Sequence, residues 1–158
     1  MKDNSKAVLE KNMIEIKQKH HWLGVCSDEI DVQSLHDWVV RPQCGAVVVF
    51  SGTTRDNSEN AVGVTHLEYE AYESGVVNSF EEISKVVFSN TPQIGRLAIM
   101  HRTGIVKLNE VSVVVAVSAP HRPEAFFSAD FAIKKLKEIS PIWKKEYWNE
   151  GSNWMSCK

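Results

Sequence analysis

Cysteine is scarce in this chain, and its spacing argues against two common roles. Cys26, Cys44 and Cys157 are odd in number and form no CxxC or zinc-like pattern, so we predict neither a disulfide framework nor a metal site. The sequence also lacks a Gly-rich phosphate loop, GxSxG, HExxH and an acidic cluster for Mg²⁺, so no cofactor is predicted. No apolar run approaches the roughly 20 residues that span a bilayer. We therefore expect a cytosolic protein that does not enter the membrane.

Length and composition favour one globular domain. The chain has 158 residues, of which 43% are hydrophobic and 24% charged, with a net charge of −2, values ordinary for a folded domain. Because the net charge is slightly negative, any basic cluster is a local feature of the surface. A local cluster favours a small anionic ligand over nucleic acid. Residues 1–19 are polar, carry both charge signs and lack the apolar core of a secretory signal. We predict a flexible N-terminal arm over 1–19 and a single domain over 20–158.

Apolar periodicity predicts six strands and three helices. The strands are expected over 22–26, 45–50, 64–72, 94–101, 111–117 and 142–148. The helices are expected after an N-cap at Asp31, over 77–88 and over 123–139. The run over 45–50 is continuously apolar and β-branched, which is typical of a strand buried on both faces. The order β-α-β-β-α-β-β-α-β indicates an α+β sandwich, with helices packed on a largely antiparallel sheet.

Cations are concentrated where the third helix is expected to begin. Pro123 fits the first turn of a helix, which places His121 and Arg122 at the positive end of the helix dipole. Cations are electrostatically unfavourable there. A bound phosphate or carboxylate would reverse the sign of this effect, because helix N–H groups and a guanidinium both favour anions. We therefore predict an anion site at His121 and Arg122.

Two lysines have both a chemical and a structural interpretation. Lys137 follows Leu136 at the margin of the predicted buried stripe of the helix. A lysine partly desolvated beside other cations can lose its proton and act as acid, base or nucleophile. The alternative is a lysine whose stem covers apolar surface. Lys144, on a strand whose Trp143 faces the other way, has the same two interpretations.

Two other basic positions follow predicted strands. Arg55 comes after an apolar strand and a glycine-containing turn, where a rigid scaffold commonly presents a functional side chain. A solvated loop arginine is the alternative. The His101-Arg102 pair lies at a strand end beside Thr103-Gly104, and we interpret it as structural.

Five motifs in one order resemble a known family. They are Gly-Ala-Val-Val-Val-Phe-Ser-Gly-Thr-Thr-Arg at 45–55, Leu-Glu-Tyr-Glu-Ala-Tyr at 67–72, His-Arg-Thr-Gly at 101–104, Ser-Ala-Pro-His-Arg at 118–122, and Leu-Lys at 136–137 followed by Pro-Ile-Trp-Lys-Lys-Glu at 141–146. Together they resemble the large, catalytic subunit of molybdopterin synthases, the MoaE family. The resemblance spans about residues 21–154.

The resemblance implies a sulfurtransferase that works with a partner. It implies a homodimer of α/β-hammerhead subunits and a heterotetramer with a small ubiquitin-like sulfur carrier (MoaD-like), whose C-terminal Gly-Gly thiocarboxylate enters the pocket. The implied reaction transfers two sulfurs to cyclic pyranopterin monophosphate, opens its cyclic phosphate and forms the dithiolene of molybdopterin. None of the motifs contains cysteine, so the sulfur would arrive in trans.

The resemblance also implies roles for individual residues. Substrate phosphate and pterin would be bound by Arg55, His121 and Arg122, the reactive or proton-transferring lysines would be Lys137 and Lys144, and Phe50 and Met155 would shape the pocket or tail channel. The alternative function, from another class, is a non-catalytic anion- or RNA-binding α+β module. Such a module would bind short RNA at the basic cluster and would bind no sulfur carrier.

Overall fold

The computed structural model describes residues 13–59 and 61–156, which contain nine strands and three helices. The strands are β1 (Met13–Lys17), β2 (His21–Cys26), β3 (Ala46–Thr53), β4 (Val64–Ala71), β5 (Arg96–Arg102), β6 (Gly104–Lys107), β7 (Val111–Ala119), β8 (Ile142–Trp148) and β9 (Gly151–Ser156). The helices are α1 (Val32–Val39), α2 (Glu73–Asn90) and α3 (Arg122–Ile139). The predicted α+β architecture is confirmed.

The strands form two sheets. The larger sheet has the order β1-β2-β5-β7-β3 and the smaller one the order β6-β4-β8-β9. All neighbours are antiparallel except β2 and β5, which run parallel. The prediction of largely antiparallel pairing is therefore confirmed, although the strands divide between two sheets.

The central strand β7 explains how the helices are distributed. Side chains alternate between the two faces of a strand, and the alternate residues of β7 belong to different apolar cores. Val113, Val115 and Val117 lie in the main core with α2 and α3. Val114 and Ala116 lie in a second core with Leu35 and Val39 of α1 and with neighbouring residues. Both faces of the larger sheet are covered, which is why β7 is apolar from Val113 to Val117.

Helix boundaries follow the capping residues identified in the sequence. The Asp31 side chain accepts hydrogen bonds from the backbone N–H and the hydroxyl of Ser34, at 3.0 and 2.7 Å, which confirms it as the N-cap of α1. Pro123 lies in the first turn of α3, as predicted, and His121 is the N-cap residue without a capping side-chain bond. Ser140 is the C-cap residue of α3, and its backbone N–H donates to the Leu136 carbonyl.

Two predictions about strands are corrected by the pairing. Residues 13–17, assigned to the flexible arm, form β1, which pairs with β2 from Met13–Cys26 to Lys17–Trp22; residues 1–12 lie outside the described part of the chain. The run over 45–50 was expected to be buried on both faces, but β3 is an edge strand of the described sheet and most of it is half-buried. An apolar run does not specify whether a strand has one neighbour or two.

The described fold also contains two strands that the periodicity missed. Strand β6 was predicted as a turn-bearing connection, and it begins at Gly104, whose φ of +80° suits glycine. Strand β9 pairs with β8 after a tight turn. Neither segment shows a sustained alternation of apolar and polar residues. Among the described residues, none of the helices is long and apolar enough to cross a membrane.

Candidate active site

A cavity of about 320 Å³ lies between the two sheets, beside the C-terminal end of α3. It is lined by Phe50, Gly52 and Thr53 of β3, Arg55 and Asn57 of the following loop, Val64, Leu67 and Tyr69 of β4, His101 of β5, Ser112 and Val113 of β7, Ile133, Leu136 and Lys137 of α3, and Lys144 and Glu146 of β8. Apolar side chains form much of the inner wall. Three cations at the cavity come from three separate segments.

Those cations are the sequence-predicted residues Arg55, Lys137 and Lys144. Strand β3 ends at Thr53, so Arg55 enters the cavity from the loop just beyond the sheet edge. Lys137 lies in the last turn of α3, where the helix dipole favours a cation. Lys144 reaches the same space from the smaller sheet. The fold therefore brings together three of the five predicted site residues.

Lys137 differs from its neighbours in its pairing. Lys134 is bound to Asp130 at 2.6 Å and Lys135 to Glu138 at 2.8 Å, whereas Lys137 has no ion pair within the described residues. Lys137 is exposed, so the predicted partial desolvation is wrong for the single chain. Its ammonium group is free to reach a ligand in the cavity.

Lys144 is held by a buried carboxylate. Its Nζ lies 3.6 Å from Oε1 of Glu146, and the two side chains are 25% and 3% exposed. The other oxygen of Glu146, Oε2, accepts a hydrogen bond of 2.8 Å from the hydroxyl of Ser58. Ser58 belongs to the loop after Arg55, so this carboxylate connects β8 to the loop that carries the arginine. The position of Lys144 is thus fixed by a group deep in the wall.

His101 lies at the end of β5 and lines the same cavity. Its Nδ1–H donates to the carbonyl of Arg102 at 2.8 Å, and its ring meets Tyr69 edge to face with centroids 5.0 Å apart. Burial lowers the pKa of His101 from 6.5 to about 4. Arg102 forms an ion pair with Glu110 at 3.1 Å. The sequence predicted a structural role for both His101 and Arg102. The ion pair of Arg102 agrees with that role, whereas His101 also lines the cavity, which was not predicted.

Close packing between two strands shapes the back of the cavity. A Cβ atom at Gly52 would lie 2.6 Å from Cγ1 of Val113, closer than carbon atoms can pack. The pairing of β3 with β7 is irregular between Gly52 and Thr53, so the strand bends just before Arg55. Glycine permits the strands to approach here.

His121 and Arg122 lie at the opposite end of α3. Lys137 is fifteen residues after Arg122 in the helix, which corresponds to roughly 22 Å along the axis. Neither His121 nor Arg122 lines the cavity, and both are exposed. Within one chain, the structure therefore does not bring all five predicted site residues together.

Four residues at the cavity or in contact with its wall were not predicted from the sequence: Ser58, Tyr69, His101 and Glu146. Only Glu146 had a usable signal in the sequence: it lies two residues after Lys144, so the two side chains share a face of the strand. Ser58 and Tyr69 reach the site through tertiary packing alone. Of the described cysteines, Cys26 and Cys44 are free thiols and neither lines this cavity. No group of three or more His, Cys, Asp or Glu among residues 13–59 and 61–156 could hold a metal ion.

The fold and the site define an α+β protein with a cavity between two sheets that is lined by three cations. Comparison with known proteins narrows this class. The family model for the MoaE protein matches residues 25–139. Molybdopterin synthase catalytic subunit 2 of Aedes aegypti is 40% identical over 141 residues, which cover 87% of this chain and 90% of that protein. The molybdopterin synthase catalytic subunit of Halalkalibacterium halodurans is 37% identical over 132 residues, covering 84% and 83%.

A solved structure agrees with the sequence relatives. The X-ray structure of molybdopterin synthase from Staphylococcus aureus matches with a TM-score of 0.79 and 34% identity, covering 83% of this chain and 94% of that one. The chain therefore belongs to the MoaE family, the catalytic subunits of molybdopterin synthase.

Proposed function

We propose that this chain converts cyclic pyranopterin monophosphate to molybdopterin, using two sulfurs delivered by the thiocarboxylated C-terminus of a small ubiquitin-like carrier. The observation that carries the proposal is the convergence of Arg55, Lys137 and Lys144 on one cavity. A phosphorylated substrate and a carrier tail ending in a carboxylate derivative are both anionic, so the three cations can bind the two together and bring the sulfur to the pterin.

The described cysteines support delivery of sulfur by a partner. Cys26 lies under α1 in a separate cavity, and burial raises the pKa of its thiol to about 11. A thiol with so high a pKa is a poor nucleophile at neutral pH. Cys44 is outside the active-site cavity as well. A carrier whose flexible Gly-Gly end threads into the cavity supplies the missing sulfur.

The two lysines suit different tasks. Lys137 is exposed and unpaired among the described residues, so it can move to follow the reacting atoms and give or take a proton. Lys144 is fixed by Glu146 and suits a constant positive charge beside the developing negative charge of the reaction. Arg55 can bind phosphate through two parallel N–H bonds.

His121 and Arg122 can serve the same site only from another copy of the chain. The roughly 22 Å along α3 is too far for side chains of one subunit to meet across. A homodimer that places the start of one α3 near the cavity of its partner would complete the phosphate site. We therefore assign these two residues to substrate binding across a dimer, and we place the enzyme in the cytosol.

Purified chain, thiocarboxylated carrier and cyclic pyranopterin monophosphate test the function directly. Size-exclusion chromatography with light scattering should show a dimer alone and a two-plus-two complex with the carrier. A single-turnover assay should yield molybdopterin with the thiocarboxylate and none with the plain carboxylate, which still docks. A monomer that ignores the carrier but binds short RNA would identify the chain as an RNA-binding module instead.

A further inference from the structure

His101 has one ring nitrogen committed to the backbone and one available to a ligand. A carbonyl oxygen can only accept, so the 2.8 Å contact with the Arg102 carbonyl places the ring proton on Nδ1. Nε2 then carries a lone pair and accepts hydrogen bonds. His101 is only 3% exposed, and it lines the active-site cavity.

Two contacts hold this acceptor in place. The Nδ1–H bond fixes the ring at one end, and the edge-to-face contact with Tyr69, at an interplanar angle of 71°, fixes its plane. Burial keeps the imidazole neutral by lowering its pKa to about 4, so Nε2 does not become a donor at physiological pH. A fixed neutral acceptor inside a cavity is suited to recognition of a donor on a ligand.

The charged groups of the cavity have a different character, while the hydroxyls of Thr53, Tyr69 and Ser112 and the amide of Asn57 can both donate and accept. Arg55, Lys137 and Lys144 donate hydrogen bonds and cannot accept them. The Glu146 carboxylate accepts, but Ser58 and Lys144 already contact its two oxygens. A substrate that combines a phosphate with a nitrogen heterocycle brings N–H donors as well as anionic oxygens. The three cations can bind the anionic oxygens, but they cannot accept a hydrogen bond from the N–H donors.

We propose that Nε2 of His101 accepts a hydrogen bond from an N–H of the heterocyclic part of the substrate. This inference rests on the proposed function, since it concerns the same site. His101 is thereby a substrate-binding residue that selects for a donor, because an analogue without that N–H leaves the lone pair of Nε2 unpaired in a buried wall.

A matched pair of substitutions distinguishes the role of Nδ1 of His101 from that of Nε2. His101→Asn retains an N–H near the Nδ1 position, for the Arg102 carbonyl, and removes the acceptor. His101→Gln places an amide oxygen near the Nε2 position and restores it. We expect the Asn variant to raise KM for the pterin substrate roughly ten-fold, with a smaller change in the single-turnover rate at saturation. The Gln variant should stay within a few-fold of the parent.

The activity of the parent protein with thiocarboxylated carrier is measured first. If the parent forms no molybdopterin, the proposed function is wrong, and this result is distinct from a failure of the inference about His101. Carrier binding and the melting temperature of each variant control for misfolding. If the Asn variant binds substrate as tightly as the parent, or if the folded Gln and Asn variants are equally weakened, the inference is wrong.

A measurement on the unmodified protein does not depend on the folding of variants. With ¹⁵N-labelled histidine, the resonance of the unprotonated Nε2 of His101 should move upfield when the pterin substrate is added, as expected for a nitrogen that accepts a hydrogen bond. The His101→Gln variant assigns that resonance by its loss. A resonance that stays in place at saturating substrate would overturn the proposal.

Discussion

The Nζ of Lys144 and Oε1 of Glu146 lie 3.6 Å apart at the wall of the cavity, and the opposite oxygen of Glu146 accepts a hydrogen bond from Ser58. One buried carboxylate thus holds a lysine from β8 and the loop that follows Arg55. Rotation of Glu146 would release Lys144 and break the hydrogen bond to the loop that follows Arg55.

Glu146→Gln should lower activity more than stability. The amide oxygen can still accept from Ser58, but the attraction that fixes Lys144 is lost, and misplacement of a reacting group by about 1 Å can cost up to roughly a hundred-fold in rate. Single-turnover product formation and urea unfolding measure the two effects. Ser58→Ala, which removes the hydrogen bond to Glu146 and no charge, is the control. An activity loss no larger than that of the control would contradict the role of the carboxylate.

Lys137→Ala should abolish molybdopterin formation and leave the fold intact, because the side chain is exposed and has no ion pair in the described chain. Lys137→Arg should also fail, since a guanidinium remains protonated and cannot transfer a proton at neutral pH. Lys134→Ala is the matched control on the same helix. Circular dichroism checks the fold, and near-normal turnover by the arginine variant would reject the chemical role.

Mixing Arg122→Ala with Lys137→Ala, at a substrate concentration too low for the Arg122→Ala homodimer to work, tests the assignment of Arg122 to the partner subunit. Homodimers of Arg122→Ala should lose roughly ten- to a hundred-fold in substrate affinity, the expected effect of losing a charge-assisted hydrogen bond. After subunit exchange with Lys137→Ala homodimers, a mixed dimer holds one cavity with both Lys137 and the partner's Arg122 intact if the site is shared. Activity should then recover in part. No recovery after verified exchange would show that Arg122 does not complete the cavity of the partner subunit.

Stability should depend on pH through His101. Its pKa falls from 6.5 to about 4 on burial, so the unfolded chain binds one more proton than the folded chain between these values. Stability is therefore complete above pH 6.5, decreases as the pH falls to 4, and loses roughly 3 kcal/mol in all from this residue. Burial lowers the pKa of His21 as well and acts in the same direction. Urea midpoints for the parent and for His101→Gln should diverge across this window, and parallel curves would show that His101 does not titrate as expected.

Gly52→Ala should destabilise the protein, because the added Cβ would lie 2.6 Å from Cγ1 of Val113. Overpacking of this kind costs about 1–3 kcal/mol. Thermal unfolding provides the measurement, and Val113→Ala in the same chain should recover part of the loss by making room. No recovery would mean that the clash is not the cause.

The sequence determined the local structure well where one segment carries its own signal. The Asp31 cap and the Pro123 start depend on residues within one turn of each other, and the apolar repeat of α3 needs no partner to be recognised. The five motifs were enough to identify the family and three residues of the cavity, Arg55, Lys137 and Lys144.

Only the tertiary structure decided which segments pair and which side chains meet. The pairing of β6 with β4 and the bond from Ser58 to Glu146 join residues far apart in the chain. The hairpins that contain β1 and β9 and the edge position of β3 are also known only from the strand pairing. Their local patterns are compatible with several pairings, and the choice among them depends on burying both faces of β7 at once. The place of His101 in the cavity follows from the same packing, because a strand-end histidine becomes a fixed neutral acceptor only when β4 and Tyr69 cover it.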